Sequence, residues 1–116
     1  MRPFEKLEVW QQSMHLVKAI YDLTKDFPKD EIYGLTSQMR RAAVSIPSNI
    51  AEGSARAGRK KYAYFINIAK GSLAELDTQL KIAVMLGYSS EKDEINENID
   101  HLGRLLTGLF NKWNKE

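Results

Sequence analysis

The sequence predicts an all-α fold, and three observations carry that prediction. Apolar residues recur at three- and four-residue steps in four separate segments, which places them on one face of a helix. Turn-forming residues cluster between those segments, within 28–34, 53–58 and 87–90. No segment alternates apolar and polar residues in the manner of a strand. Four helices with short connections favour an antiparallel up-down-up-down bundle, a single domain spanning residues 1–116.

The first predicted helix has two apolar stripes. One stripe consists of Leu7, Trp10, Met14, Val17, Tyr21 and Thr24. The second lies beside it and consists of Leu16, Ile20, Leu23 and Phe27. We expect the helix to end at Phe27, because the residue before Pro28 is pushed out of the helical conformation.

The second predicted helix begins at Thr36, a plausible N-cap, and ends at Gly53. Its apolar side consists of Met39, Ala42, Ala43, Ile46 and Ile50. Pro47 lies within it and removes one backbone hydrogen bond. We therefore expect either a kink or a second helix start capped by Ser45.

A polar stripe runs beside the apolar side of the second helix. It consists of Arg41, Ser45, Ser48 or Asn49, and Glu52. One interpretation is a hydrogen-bond network that sets the register of neighbouring helices. The alternative is a stripe that lines a pore or groove in an assembly.

The third predicted helix, about residues 59–86, is the longest, at roughly 40 Å. Its apolar positions are Tyr62, Ile66, Ala69, Leu73, Leu76, Leu80 and Ala83. Gly87 supplies its left-handed terminus, and Ser90 with Asp93 predicts a capping-box variant at the next helix start. The fourth helix has its apolar side at Ile95, Ile99, Leu102, Leu106, Leu109 and Trp113.

The apolar residues exceed what one bundle needs. The first helix has two stripes, and residues 82–86 are apolar on all sides of the third. A wide apolar face is one explanation, since small bundles use about three positions per heptad. A surface for self-association is the other. No apolar run approaches the ~20 residues of a membrane span, so no membrane partner is expected.

Charge is distributed unevenly, although the formal net charge is only +2. Residues 36–70 carry seven basic side chains and one carboxylate, net +6. The segments 1–35 and 71–116 have net charges of −1 and −3. The middle of the chain is therefore the basic part.

Most of these cations lie around the second connection and the start of the third helix. Cations there oppose the helix dipole, a local cost that a phosphate-bearing partner explains better than the fold does. Tyr62 and Phe65 are expected in the core, whereas Tyr64 is placed to face a base. The candidate nucleic-acid-binding residues are Arg40, Arg41, Arg56, Arg59, Lys60 and Lys61. The structural alternative is a solvated loop that maintains solubility.

The sequence lacks the motifs that carry catalysis. It has no cysteine, no glycine-rich phosphate loop and no His-Glu-x-x-His. Three residues before His15 and His101 stand Gln12 and Asn98, where di-metal bundles need glutamate. We expect no metal, no cofactor and no enzymatic activity; Glu52 is a candidate general base only if an assembly encloses it.

Two further observations concern location. A chain without cysteine fits a reducing compartment. The first residues lack the apolar stretch of a secretory signal. A cytoplasmic location is therefore expected.

Three stretches of the chain resemble a known family. They are residues 35–53 (LTSQMRRAAVSIPSNIAEG), residues 68–76 (IAKGSLAEL) and the opening Phe4-x-x-Leu7-x-Val9-Trp10. The chain is similar to the four-helix bundle proteins often encoded within intervening sequences of bacterial 23S ribosomal RNA genes. The resemblance covers nearly the whole chain, and the last helix matches only in its apolar pattern.

The resemblance implies an antiparallel four-helix bundle that assembles into a homo-oligomeric ring, commonly a pentamer. The surplus apolar stripes would then be subunit contacts. A related bundle protein, the accessory variability protein of diversity-generating retroelements, associates with reverse transcriptase and is linked to nucleic-acid binding through a basic surface. The family supplies no catalytic residues.

Two functions remain open at this point. The first is a non-catalytic oligomeric bundle that binds RNA or DNA through phosphates. The second is a protein-interaction scaffold whose basic surface docks an acidic protein partner, such as a polymerase or a nuclease.

Overall fold

Four α-helices make up the computed structural model, which describes residues 1–115. They are α1 (Glu8–Thr24), α2 (Leu35–Ala55), α3 (Arg59–Met85) and α4 (Asp93–Trp113). Short 3-10 turns, Pro3–Lys6 and Lys29–Glu31, precede α1 and α2. Residues 1–115 contain no strand, which confirms the all-α prediction.

The four helices are arranged as neighbours around one core. Each helix contacts the next one in the chain, and α1 also contacts α4. Within the described residues no Cα atom of α1 lies within 8 Å of one in α3, and the same holds for α2 and α4. The molecule measures 46 × 22 × 21 Å, so α3, at about 40 Å, runs through most of its length.

The core lies between the four helices and draws on each of them. Its fully buried large side chains are Leu16, Ile20, Met39, Ile46, Ile50, Ile66, Leu76, Leu102 and Leu106. Leu16 and Ile20 of the second apolar stripe of α1 are fully buried in this core. The first stripe is divided: Leu7, Trp10 and Val17 pack against the core, whereas Met14 and Tyr21 are exposed. No helix within residues 1–115 combines the length and the apolar character needed to cross a membrane.

The predicted start of α2 is wrong by one residue, and its cap comes from elsewhere. Thr36 is buried inside the first turn, and the helix begins at Leu35. The N–H of Leu35 donates to Oε1 of Glu31 at 3.0 Å. The carboxylate of the preceding turn therefore does what a serine or threonine cap does in other helices.

Gly53 does not end α2, which continues to Ala55. A Cβ at Gly53 would lie 2.8 Å from Cβ of Phe65 and 3.4 Å from the carbonyl oxygen of Tyr62. The glycine is needed because α2 and α3 approach each other closely at this point.

Neither a new start at Ser45 nor a cap at Ser90 is present. The helix runs through Pro47, which is buried, without interruption. The residue before α4 is Lys92, and no side chain caps that helix start. Helix α1 ends at Thr24, earlier than predicted, but Phe27 is still buried. Gly87 has a φ of 79°, which confirms the predicted left-handed end of α3.

Candidate nucleic-acid interface

The tight connection between α2 and α3 brings four of the six candidate cations together. Arg56 follows the last residue of α2, and Gly58, with a φ of 94°, precedes α3. That φ lies in the left-handed region, which glycine adopts without steric cost, so the chain reverses within three residues. The four side chains on either side of this reversal are all exposed: Arg56, Arg59, Lys60 and Lys61.

The end of α4 joins the same surface. Nη2 of Arg59 donates to the carbonyl oxygen of Lys112 at 3.1 Å. The rings of Tyr62 and Trp113 stack with centroids 5.0 Å apart and planes 7° from parallel. Partial burial raises the pKa of Tyr62, so its hydroxyl stays neutral. These contacts add Lys112, which is exposed, to the cations of α2 and α3.

We call this surface the basic end and define it as Arg56, Arg59, Lys60, Lys61 and Lys112. Sequence reasoning missed Lys112, because it belongs to a segment whose net charge is −3. A lysine in the last turn of a helix also has an ordinary structural explanation, since it complements the helix dipole. No signal in the sequence marks it as a neighbour of Arg59.

The cations of the basic end differ in how much the fold already uses them. The Arg59 guanidinium holds the end of α4 and lies 6.0 Å from the ring centre of Trp113. Arg56 pairs with Glu52 at 3.6 Å, but both side chains are about half exposed, and such pairs contribute little. Lys60 and Lys61 pair with no carboxylate within residues 1–115. The two lysines are therefore more available to a ligand than Arg56 and Arg59 are.

Arg40 and Arg41 lie elsewhere on α2. Sixteen residues separate Arg40 from Arg56, which corresponds to about 24 Å along the helix. Nε of Arg40 donates to Oγ1 of Thr24 at 2.9 Å, and its guanidinium lies 4.7 Å from the ring centre of Tyr21. Arg41 is exposed between two surface grooves, one facing α1 and one facing α3. The six candidate residues thus fall into two separate groups.

The polar stripe of α2 forms a hydrogen-bond network in its central part. The hydroxyls of Ser45 and Ser72 are 2.9 Å apart and join α2 to α3. Nδ2 of Asn49 donates to the carbonyl oxygen of Ser45 at 2.8 Å and to its hydroxyl at 2.9 Å. These contacts agree with a structural network, and Glu52, paired with Arg56, lies outside it.

Carboxylates gather around the turns that precede α2 and α4. Oε2 of Glu31 accepts a hydrogen bond from the hydroxyl of Tyr88 at 2.7 Å, which joins these two connections. The Leu35 N–H and, second, this hydroxyl hold the pKa of Glu31 below its usual range, while the same bond raises the pKa of Tyr88. The other carboxylates in these two connections are Asp26, Asp30 and Glu91, and Asp93 and Glu94 follow in the first turn of α4.

The remaining ionisable groups form no recognised site. Within residues 1–115 no three histidine, aspartate or glutamate side chains lie close enough to hold a metal ion. Nε2 of His101 lies 3.8 Å from a carboxylate oxygen of Glu8. His15 is exposed beside a groove between α1 and the start of α4.

Comparisons with known proteins were made for both sequence and structure. The model of one protein family, described as "23S rRNA-intervening sequence protein", matches residues 5–108. No protein with a curated description matches the sequence. A crystal structure of a protein of unknown function from the S23 ribosomal protein family, from Bacteroides thetaiotaomicron VPI-5482, is similar with a TM-score of 0.78. That similarity covers 88% of this chain and 97% of the other, at 20% sequence identity, and it shows a shared fold.

Proposed function

The chain belongs to the 23S rRNA-intervening sequence protein family, and from this premise we propose a non-catalytic, oligomeric helical bundle that binds RNA or DNA through its basic end. Family membership supplies the fold. The observation that carries the binding proposal is the pair of exposed lysines, Lys60 and Lys61, which pair with no carboxylate of residues 1–115 and lie beside Arg56 and Lys112. Residues 53–74 contain no carboxylate that would neutralise this surface from within the same segment.

Phosphates are the ligand groups that such a surface favours. Lysine and arginine neutralise phosphates and release counterions, so binding is strongest at low salt. The logarithm of the affinity falls linearly with the logarithm of the salt concentration. Contacts to phosphates carry no direct sequence information. We therefore expect binding with little sequence preference and a steep dependence on salt.

We also propose that the bundle is antiparallel and that several copies form a ring, with five as the expected number. Two contacts support the antiparallel order: Arg59 at the start of α3 reaches Lys112 at the end of α4, and Tyr88 reaches Glu31. Exposed apolar side chains on α1 and α2 support the ring. Repetition of the basic end around a ring would raise the effective concentration of each weak site.

A charge-reversal variant tests the binding proposal. Lys60→Glu/Lys61→Glu leaves Arg59 and its contact with α4 intact. Because two phosphate contacts are lost, the slope of log affinity against log salt should fall by roughly 1.4 to 1.8 in magnitude. Fluorescence anisotropy with labelled RNA and DNA at several salt concentrations measures both affinity and slope.

A matched control distinguishes the effect of charge at the basic end from the effect of net charge on nucleic-acid binding. Lys18→Glu/Lys25→Glu makes the same change in net charge on α1 and the turn after it, where both lysines contact Asp22. Its salt slope should equal that of the parent. If the parent does not bind at low salt, or if the two variants bind equally, nucleic-acid binding at the basic end is wrong.

An acidic protein partner, such as a polymerase or a nuclease, is the competing ligand for the same cations. Salt dependence does not distinguish a nucleic acid from an acidic protein as the ligand, because both would bind through ionic contacts. Capture on the immobilised protein before and after nuclease treatment distinguishes them. A partner protein retained after nucleic acid is removed would favour the scaffold.

We propose that the protein acts in the cytoplasm. Reducing conditions there do not affect the stability of a chain that has no cysteine and therefore no disulfide.

A further inference from the structure

Tyr64 lies next to the basic end, and its aromatic side chain is not part of the hydrophobic core. The residue is 61% exposed, although Tyr62 and Phe65 beside it both pack against other side chains. Resting on the proposed function, we propose that the ligand of the basic end is a single-stranded nucleic acid, one of whose unpaired bases stacks on Tyr64.

The ring of Tyr64 contacts the ring of the adjacent Phe65. It lies on the second turn of α3 and meets the ring of Phe65 with centroids 5.2 Å apart and planes 84° from parallel. Phe65 is in turn fixed against Gly53 of α2 and lies under the guanidinium of Arg56, 5.6 Å away. A tyrosine side chain has only two torsions, so it loses little entropy when a base stacks on it.

Cations and open space flank this ring along one face of α3. Lys60 and Lys61 precede Tyr64 by four and three residues, and side chains at these spacings are neighbours on a helix. Asn67 and Gly71 follow on the same face and are exposed. A Cβ at Gly71 would meet no atom within 4 Å. Phosphates can therefore contact the lysines while the adjoining base lies over Tyr64 without obstruction.

This arrangement favours a single strand over a duplex. Bases in a duplex are already stacked on their neighbours and expose only their edges in the grooves, so an aromatic ring on a helix surface has no free base face on which to stack. In a single strand the base faces are accessible, and each base has a face that stacks on an aromatic ring regardless of its identity. Stacking on one such ring corresponds to roughly a fivefold to hundredfold change in affinity.

The test compares a short labelled oligouridylate with an RNA duplex of the same length. Tyr64→Ala should lower the affinity for the single strand by roughly fivefold to a hundredfold and leave the affinity for the duplex unchanged. Tyr64→Phe should bind the single strand as the parent does, because stacking needs the ring and not the hydroxyl. The matched control is Tyr33→Ala, which removes a tyrosine that is 94% exposed beside Asp30 and Glu31; its affinity should not change.

The outcomes distinguish this inference from the proposed function. If the parent binds neither probe, phosphate binding fails and the inference fails with it. If the parent binds both probes equally and Tyr64→Ala has no effect, single-strand recognition alone is overturned. A loss in Tyr64→Ala that is equal for both probes, or a lower assembly mass by light scattering, also overturns it, because Tyr64 would then act through the fold or a subunit contact.

Discussion

Arg40 and Arg59 illustrate how the neighbours of a cation decide what it contributes. Arg40 donates to the hydroxyl of Thr24, which is buried and itself donates to the carbonyl oxygen of Ile20. Arg59 donates to the last turn of α4. Both guanidinium groups therefore hold helices together, and neither is interchangeable with an exposed lysine of the same charge.

The first prediction concerns Arg40. Arg40→Ala leaves the buried Thr24 hydroxyl without its donor and removes the contact with the ring of Tyr21, so we expect a loss of about 1–2 kcal/mol in the free energy of unfolding. Urea denaturation followed by circular dichroism measures this. Arg41→Ala, an exposed neighbour, should change stability by less than about 0.5 kcal/mol. Equal losses in the two variants would contradict the assigned role of Arg40.

The second prediction concerns Glu31 and acid pH. Hydrogen bonds from Leu35 and Tyr88 hold the pKa of Glu31 below its ordinary value of 4.5. A carboxylate whose pKa is lowered on folding contributes stability that is fully present above the unfolded value and is lost as pH falls through the folded value. Glu31→Gln should therefore flatten the decline in melting temperature below pH 4.5.

Thermal melts from neutral pH down into the acid range provide the measurement. Glu75→Gln is the control, because Glu75 is exposed on α3 and accepts none of the described hydrogen bonds. Its melting curve should decline with acid as the parent does. Identical slopes for the parent and Glu31→Gln would show that the Glu31 cap does not stabilise the fold.

At the scale of the elements, α2 and α3 form the tightest pair. Small residues allow this approach: Ala43, Gly53, Ala63 and Ala69 are all buried. The hydroxyls of Ser45 and Ser72 meet across the same interface at 2.9 Å. Small residues at these positions let the two helices pack closely. Larger side chains here would overlap across the interface, and overlaps, like voids, destabilise a close-packed interior.

The third prediction concerns Gly53. In Gly53→Ala the new methyl group would overlap Cβ of Phe65, which is fixed to the backbone of α3 and cannot rotate away. The two helices must separate, and we expect a loss of about 1–3 kcal/mol in the free energy of unfolding.

Gly71→Ala is the matched control for Gly53. It also lies within a helix, but its methyl group would meet no atom within 4 Å. It should stabilise the protein by about 0.4–1 kcal/mol, since alanine loses less backbone entropy than glycine on folding. Denaturation of both variants tests the pair. No loss in Gly53→Ala, or an equal loss in both variants, would contradict the close approach of α2 and α3 at Gly53.

At the scale of the whole molecule, two surfaces stand out beside the core. The basic end joins the end of α2, the start of α3 and the end of α4. A second surface lies between α1 and α2, where Tyr21, Ile32 and Val44 line one groove and are each more than a third exposed. Because a single chain leaves these apolar side chains in water, we propose this groove as the subunit contact of the ring.

The fourth prediction tests that contact. Val44→Glu places a charge on the exposed side of α2, so the chain should still fold, but the desolvation of that charge would oppose assembly. Light scattering should return the mass of the assembly for the parent and 13.3 kDa, the mass of one chain, for the variant. Thr78→Glu, on the exposed side of α3, is the control and should keep the parent mass.

Two results would contradict this prediction. A parent mass of one chain at micromolar concentration would exclude the ring. An unchanged assembly mass in Val44→Glu would show that the α1–α2 groove is not the contact, and the exposed Met85 and Leu86 at the end of α3 would be the next surface to test.

The sequence by itself determined the four helices, the buried faces of α2, α3 and α4, and the basic character of the middle segment. These features depend on neighbours within about one helical turn, and three- and four-residue spacing records them directly. It also singled out Lys60, Lys61 and Tyr64, since all three lie on one turn-length stretch of α3.

Only the tertiary structure decided which distant residues meet. It brought Lys112 to Arg59, placed Arg40 beside Thr24 and placed Gly53 against Phe65. Each of these contacts joins residues of different elements. Their formation depends on how the helices pack, and the local spacing of residue types does not contain that information.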